Sequence, residues 1–215
     1  MKPVILFLLF VVQHSFVACS QENNKQGKNP IVGGGCEGCE AIYESPLALE
    51  KLPSTITLPD YNEAGPKLSV SGVVYKADGK TPARDVIIYV YHTDQTGHYS
   101  KKGNETGWGQ RHGYIRGWLK TNAKGEYSFL TLKPAAYPNE KAPAHIHVTI
   151  KEPEFNEYYI DEYLFDDDPL LTANERQKLP NRAGSGVLKT SKSGDMLIAK
   201  RDIYLGKNIP GYPTK

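Results

Sequence analysis

The chain has 215 residues, 39% of them hydrophobic, which is enough for one well-buried domain with tails. Its 26 basic and 24 acidic residues leave a net charge of +2 that is scattered along the chain, which argues against a nucleic-acid partner. Twenty glycines, 15 prolines and 14 tyrosines favour a β-rich fold with many loops over a helical one.

Residues 1–18 have the pattern of a secretion signal. Lys2 provides a short positive end, and residues 4–12 are an apolar run too short to span a bilayer stably. Ala18 followed by Cys19 resembles a bacterial lipoprotein processing site, at which Cys19 becomes the lipidated first residue. The sequence therefore predicts an exported protein, either a periplasmic or outer-membrane lipoprotein anchored at Cys19 or, less favoured, a secreted form.

Residues 19–45 are predicted to form a tether and a clasp before a domain at 46–215. Residues 20–29 are polar, and Cys36 and Cys39 lie in a glycine-rich Cys-x-x-Cys segment. In an exported protein this pair favours a small-loop disulfide. A zinc or redox site is disfavoured, because one Cys-x-x-Cys supplies half of a four-cysteine zinc site and no βαβ pattern follows it.

Short strand patterns follow one another from residue 68 onward. Residues 68–75 alternate between apolar and polar, and residues 78–82 have turn chemistry. Residues 86–92 are apolar on both faces, which predicts a strand buried between two layers. Residues 118–121 and 126–132 flank a turn that ends in glycine, and this arrangement predicts a hairpin.

The last third of the chain contains one helix signal and a final strand. Thr172 and Glu175 fit a capping box, which predicts a short helix to about Lys178 that Pro180 ends. Residues 196–205 read as the last strand. The predicted fold is all-β: a β-sandwich of mostly antiparallel strands with long loops and one short helix.

The run at 143–150 is rich in β-branched residues and reads as a strand. Because strand side chains alternate, His145 and His147 share one face while Ile146 lies on the other. Two imidazoles on one rigid face can chelate a metal ion. The same pattern also fits a polar outer face that carries two histidines with no ligand, and the pair alone does not choose between these readings.

Several motifs occur in a fixed order along the chain: Y-H-T-D-Q-T-G-H-Y at 91–99, R-G at 116–117, T-N-A-K-G-E-Y-S-F at 121–129, T-L-K-P-A-A-Y at 131–137 and A-P-A-H-I-H at 142–147. In this order they resemble the motifs of the intradiol ring-cleavage dioxygenases, the family of catechol and protocatechuate dioxygenases. The resemblance spans roughly residues 68–212, and the ordered combination is far more specific than the histidine pair.

The resemblance implies one mononuclear non-haem Fe(III) per chain, held by two tyrosinates and two histidines. Tyr137, His145 and His147 fall on the ligand positions of the family. For the second tyrosine we expect Tyr114, which lies just before the arginine-glycine pair, with Tyr99 as the alternative. Such a donor set suits ferric iron, a hard cation that phenolate oxygen stabilises better than thiolate or a third imidazole does.

The resemblance also implies the reaction: O2 opens a catechol-type ring between its two hydroxyl-bearing carbons and gives a muconate-type diacid. The implied partners are a small aromatic diol and O2, and the oligomeric state stays open. Tyr114, Tyr137 and Arg116 are the expected catalytic residues. Ala142 stands where most members carry an arginine that stabilises charge on the substrate, and Arg116 or Lys141 are the available replacements.

Two other functions fit parts of the sequence. A prealbumin-type sandwich, acting as a binding module of a surface lipoprotein, explains the strands but gives no reason for Tyr137 beside the histidine pair. Another metal enzyme is the second alternative, although a copper-zinc site needs more histidines than the five that follow the signal can readily supply. We assign the remaining three histidines of the domain to structure or to the pocket rim: His92, His98 and His112.

Overall fold

The structure, a computed structural model, describes residues 31–213. The predicted signal and Cys19 lie outside the described residues. Across 31–213, no helix combines the length and hydropathy needed to cross a membrane. The described chain forms twelve strands: β1 (Thr55–Thr57), β2 (Lys67–Tyr75), β3 (Ile87–His92), β4 (Arg116–Lys120), β5 (Glu126–Leu132), β6 (His145–Lys151), β7 (Glu157–Tyr159), β8 (Tyr163–Phe165), β9 (Val187–Leu188), β10 (Ser191–Ser193), β11 (Met196–Lys200) and β12 (Ile203–Tyr204).

The strands form two sheets. The first sheet has the order β1-β5-β2-β11-β10, and β12 also pairs with β2. The second sheet has the order β4-β3-β6-β8-β9, and β7 also pairs with β6. The two longest pairings, β2 with β5 and β3 with β6, are antiparallel. The predicted all-β sandwich is confirmed.

The main core lies between the sheets and is built from alternate residues of their strands. Its buried side chains include Leu68, Val70, Val74, Ile88, Val90, Phe129, Ile146, Val148 and Ile150. The intervening residues of β3 point to the outer face of the second sheet, where Ile87 and Tyr89 pack against Ala41, Ile42 and Leu52. Strand β3 is therefore buried on both faces, as its unbroken apolar pattern predicted.

The described part of the predicted tether and clasp packs against the sandwich. Val32 is fully buried in the main core. Cys36 and Cys39 form the predicted disulfide, and a 3-10 helix follows at Cys39–Tyr43. A second 3-10 turn occupies Leu49–Lys51. Within residues 31–45 of the predicted tether and clasp, Val32, Ala41 and Ile42 thus pack into the sandwich, while residues 19–30 lie outside the described residues.

The predicted short helix is confirmed as α2 (Ala173–Lys178), which follows α1 (Gly109–His112) in the chain. The Thr172 hydroxyl accepts a hydrogen bond from the Glu175 backbone N–H at 3.3 Å, as the capping pattern predicted. The sequence did not predict α1, whose four residues are too few to show a helical period.

The predicted hairpin is wrong. The turn at 122–125 forms, with the Gly125 N–H donating to the Asn122 carbonyl at 2.9 Å. However, β4 pairs with β3 and β5 pairs with β2, so this turn carries the chain from the second sheet to the first. A turn pattern specifies a change of direction, while pairing is decided by the longer ladders that each strand forms elsewhere. Similarly, the predicted strand at 196–205 divides into β11 and β12.

Candidate metal centre

The two histidines of β6 lie side by side on the outer face of the second sheet. His145 is opposite Leu164 of β8, and His147 is opposite Tyr91 of β3. Their Nε2 atoms are 3.1 Å apart. His145 is buried and His147 is partly exposed. The shared face that the alternation of β6 predicted therefore brings both imidazoles to one point.

Two tyrosines from separate loops reach the same point. The Tyr99 hydroxyl is 2.7 Å from Nε2 of His147, and the Tyr137 hydroxyl is 3.2 Å from Nε2 of His145. The two hydroxyls are also in direct hydrogen-bond contact with each other. Two oxygens and two nitrogens thus converge, and each is a group that can bind a metal ion through a lone pair.

The second nitrogen of each imidazole is held by an acceptor. Nδ1 of His145 donates to the Pro143 carbonyl at 2.7 Å, and Nδ1 of His147 donates to the Glu162 carboxylate at 2.8 Å. In a neutral imidazole the proton is then on Nδ1, which leaves the Nε2 lone pair free. Two lone pairs facing each other at 3.1 Å repel unless a cation lies between them. This arrangement fits a metal site.

The donor set fits ferric iron. Burial raises the pKa of Tyr99 and of Tyr137, although the contact with Tyr99 offsets part of the shift at Tyr137. Both phenols are therefore neutral at pH 7 until a cation ionises them. Burial also lowers the pKa of His145, which keeps its imidazole uncharged and able to bind a metal. Phenolate oxygen and imidazole nitrogen, without thiolate, suit a hard trivalent ion.

Glu162 and the two histidines form a second possible set of metal ligands. One ligand atom from each of His145, His147 and Glu162 lies within 4.8 Å of the others. Two histidines and one carboxylate are typical of Fe(II) oxygenases. Here, however, the carboxylate is bonded to Nδ1 of His147, on the ring edge away from the convergence point. Glu162 is therefore better placed to orient His147 than to bind the ion.

The structure places Tyr114, the expected second tyrosine, away from the cluster and brings Tyr99, the alternative, to it. The Tyr114 hydroxyl donates to Glu63 at 2.7 Å, and Lys102 lies over the Tyr114 ring at 4.2 Å. These partners draw the side chain toward the protein surface, so Tyr99 takes the place at the cluster. The sequence did contain a signal for this, because Tyr99 ends the motif at 91–99, whereas Tyr114 was chosen only for its nearness to the arginine-glycine pair.

Arg116 lies on the same face as the cluster, in register with Tyr91 and, one strand further, His147. Its guanidinium donates to Glu44 at 2.7 Å and lies over the Trp118 ring at 5.1 Å. The expected catalytic arginine is thus engaged by a neighbouring carboxylate, and it is not among the groups that contact the four converging atoms.

A stacked series of aromatic rings leads away from His147. The Tyr91 ring lies between His147, at 4.4 Å between centroids, and His112, at 3.8 Å. Trp108 continues the stack at 5.4 Å from His112. Burial lowers the pKa of His112 to about 4, and its Nδ1 is 2.9 Å from the Tyr89 hydroxyl. His112 is therefore a neutral structural residue, consistent with its assignment from the sequence.

Asp94 organises the loop that carries Tyr99. Its Oδ1 accepts hydrogen bonds from the Thr96 N–H and hydroxyl, both at 2.7 Å, and its Oδ2 accepts one from Ser100. Burial raises the pKa of Asp94, but these hydrogen bonds outweigh it and lower the pKa to about 2. Gly97 has φ 78°, and a Cβ there would collide with the Ala136 carbonyl, so the loop also packs closely on the Tyr137 loop.

Replacing Asp94 with alanine is expected to lower the free energy of unfolding by about 1–3 kcal/mol at pH 7. The pKa of Asp94 in the folded protein lies below its ordinary value of 3.8. The stabilisation that its carboxylate provides is therefore fully present above pH 3.8 and is lost as the pH falls toward 2. Urea unfolding should therefore show the variant and the natural protein converging at low pH. Iron affinity should also fall, by roughly 10–100-fold, because Tyr99 is no longer held.

Asp78→Ala provides the matched control. Asp78 caps a comparable turn by accepting from the Lys80 and Thr81 N–H groups, but that turn lies away from the cluster. It should reduce stability without changing iron affinity. Equal iron binding by Asp94→Ala and the natural protein would show that the Asp94 loop does not position Tyr99.

A family model described as "Dioxygenase" matches residues 43–179, which is more than half of the chain. The chain belongs to the intradiol ring-cleavage dioxygenase family. The protocatechuate 3,4-dioxygenase beta chain of Burkholderia cepacia is 32% identical over 153 residues, covering 66% of this chain and 65% of that one. Catechol 1,2-dioxygenase 2 of Acinetobacter lwoffii is 27% identical over 160 residues, covering 63% of this chain and 56% of that one. The chain thus spans less than two thirds of the length of these curated relatives.

Solved structures agree on the fold of this dioxygenase-family chain. The dioxygenase domain of a dioxygenase carbohydrate-binding protein fusion from Streptomyces sp. SirexAA-E has a TM-score of 0.56 at 24% identity, covering 75% of this chain and 94% of that one. The 3-chlorocatechol 1,2-dioxygenase of Rhodococcus opacus 1CP has a TM-score of 0.55 at 20% identity, covering 76% of this chain and 70% of that one. At these identities the likeness concerns the two-sheet architecture.

Proposed function

We propose that this protein is a non-haem Fe(III)-dependent dioxygenase that uses O2 to open a catechol-type ring between its two hydroxyl-bearing carbons, giving a muconate-type diacid. The observation that carries the proposal is the convergence of Tyr99, Tyr137, His145 and His147. Family membership supports it, because a sandwich used only as a binding module needs neither the motif order nor this cluster.

Tyr99, Tyr137, His145 and His147 would hold the iron. When bound, the iron supplies the positive charge that ionises the phenols and makes a catechol electron-poor enough to react with O2. Pro143 and Glu162 hold Nδ1 of His145 and of His147, so both Nε2 lone pairs would be available to the ion.

Once ionised by bound iron, either of the two phenol oxygens would serve as a base for the substrate. A catechol must lose protons before both of its oxygens can bind a cation. Tyr99 and Tyr137 contact each other as well as the histidines, so a proton received by one phenol oxygen can be shared with the other. We expect one of these two tyrosines to take up a substrate proton, in the role that the sequence assigned to Tyr114 and Tyr137.

The decisive experiment is oxygen consumption by the iron-loaded full-length protein supplied with catechol, together with identification of the product. We expect one O2 consumed per ring opened, with both oxygen atoms in the diacid when labelled O2 is used. A tyrosinate-bound ferric centre should also give a broad visible absorption band. A colourless protein that retains no stoichiometric iron would favour the binding-module alternative.

We also propose that the protein is exported and lipid-anchored at Cys19. The apolar run at 4–12 and the small residue before Cys19 support this, and the Cys36–Cys39 disulfide suits an oxidising compartment. Fractionation of expressing bacteria should find the protein in the membrane fraction, and Cys19→Ala should release it. A cytoplasmic protein with both thiols reduced would contradict the proposal.

A further inference from the structure

A buried polar cluster lies between the two sheets, at the end where the tyrosine-bearing loops begin. We call it the junction, and its members are Asp60, His92 and Thr131. Each of the three residues is no more than 1% exposed. Taking a carboxylate and an imidazole out of water costs free energy that apolar side chains at the same place would not cost. Stability alone therefore does not explain the junction.

The Thr131 hydroxyl links the other two members of the junction. It is 2.9 Å from Oδ1 of Asp60 and 2.7 Å from Nε2 of His92. Nδ1 of His92 donates to the Thr93 carbonyl at 2.8 Å, and Oδ2 of Asp60 accepts from the Leu132 N–H at 3.2 Å. Every polar atom of the three side chains thus has a partner, and a buried network in that condition holds its members in one arrangement.

The junction connects the ends of two strands that belong to different sheets. His92 is the last residue of β3 in the second sheet, and Thr131 is the last but one of β5 in the first sheet. The chain leaves β3 into the loop that carries Tyr99, and it leaves β5 into the loop that carries Tyr137. The contact between Thr131 and His92 therefore fixes the starting points of both loops relative to each other.

The two loops stay in contact from the junction to the tyrosines. The Thr93 hydroxyl donates to the Ala135 carbonyl at 2.7 Å, and the Ala135 N–H donates to the Asp94 carbonyl at 3.2 Å. The Gln95 side-chain amide donates to the Lys133 carbonyl at 2.8 Å. Because successive hydrogen bonds join the loops, a shift where they begin is carried to the two phenol oxygens, which contact each other.

We propose that Thr131 is a positioning residue of the metal centre, which sets the spacing of the Tyr99 and Tyr137 loops through its bonds to Asp60 and His92. The inference rests on the proposed function, since the two tyrosines are the proposed iron ligands. An apolar side chain at position 131 would fill the same space, but it would leave both partners without the hydroxyl. The loops would then be free to shift while the strands behind them stay paired.

Thr131→Val tests the inference, because valine has nearly the same shape as threonine and lacks the hydroxyl. We expect the full-length variant to bind Fe(III) about tenfold or more weakly in competition with a chelator, and its visible absorption band to move in wavelength. Thr131→Ser keeps the hydroxyl and should bring both values back toward those of the natural protein. If Thr131→Val does not fold, Asp60→Asn takes its place in the same two measurements, because the amide turns one acceptor into a donor.

Thr121→Val is the matched control. Thr121 is 2% exposed, and its hydroxyl donates to the Ala83 carbonyl at 2.8 Å and accepts from the Val86 N–H at 3.0 Å. It lies beside the other end of β3, so the control removes an equally buried hydroxyl away from the two loops. We expect it to lower the urea midpoint of unfolding, as Thr131→Val does, and to leave iron affinity and the visible band unchanged.

Natural iron affinity and an unshifted band in Thr131→Val overturn the inference, as do equal changes in Thr121→Val. If the natural protein binds no iron, the proposed function fails and the inference fails with it. A natural protein that binds iron but opens no catechol ring, with the band shifted in Thr131→Val and not in the control, would refute the proposed function and support the inference.

Discussion

Tyr99→Phe is expected to abolish the visible absorption band and stoichiometric iron binding, whereas Tyr114→Phe should leave both intact. The Tyr99 hydroxyl is 2.7 Å from the His147 Nε2 and contacts Tyr137, so its loss removes one of four converging donors. The Tyr114 hydroxyl is bonded to Glu63 instead. The loss of iron affinity should exceed the roughly 10–100-fold that removing an outer-shell partner typically causes.

Iron content per chain and the visible spectrum measure this effect directly. Both substitutions remove one hydroxyl from a partly buried tyrosine, so the pair controls for general effects on stability. The opposite result, with Tyr114→Phe bleaching the protein and Tyr99→Phe retaining its band, would restore Tyr114 as the ligand and mean that the loop at 94–100 rearranges when iron binds.

The second large effect is expected for His147→Ala, which should leave the protein folded but unable to retain iron or consume oxygen with catechol. His147 supplies one Nε2 donor, and Glu162 and Tyr91 hold its ring by a hydrogen bond and by stacking. Its side chain is only partly buried, so we expect little change in the unfolding midpoint of the iron-free protein.

His98→Ala is the control for this prediction. His98 lies in the loop that carries Tyr99. It is exposed, and its Nδ1 is paired with the Thr96 hydroxyl. Iron content measured after dialysis should be unchanged in this variant. Retention of full iron by His147→Ala, with loss in His98→Ala, would require a different ligand set and would end the present proposal.

The parts of the fold that were predicted correctly depend on local patterns. The alternation of β6 placed His145 and His147 on one face because strand geometry has a period of two. The Thr172 cap was recognised because the hydroxyl and the N–H that it accepts from are three residues apart. The Cys36–Cys39 disulfide likewise joins residues within one short loop.

The failed predictions concern contacts between distant residues. The turn at 122–125 was placed correctly, yet β4 and β5 pair with β3 and β2 because those ladders lie in different sheets. The presence of Tyr99 rather than Tyr114 at the cluster has a related cause. Both tyrosines precede the arginine-glycine pair, and only the loop held by Asp94 brings one of them to the histidines.

Local sequence patterns also did not predict which residues surround the metal centre. The bond of Glu162 to His147 depends on β8 pairing beside β6. The place of Tyr91 between His112 and His147 results from contacts with residues 21 and 56 positions further along the chain.

The sequence by itself determined the β class, the face shared by the two histidines and the family, since short-range periodicity and ordered motifs are written in consecutive residues. Only the tertiary structure decided which tyrosine joins them and what holds their second nitrogens. Those features arise where loops from separate strands meet, and no local pattern records the free energy by which one loop packs against another.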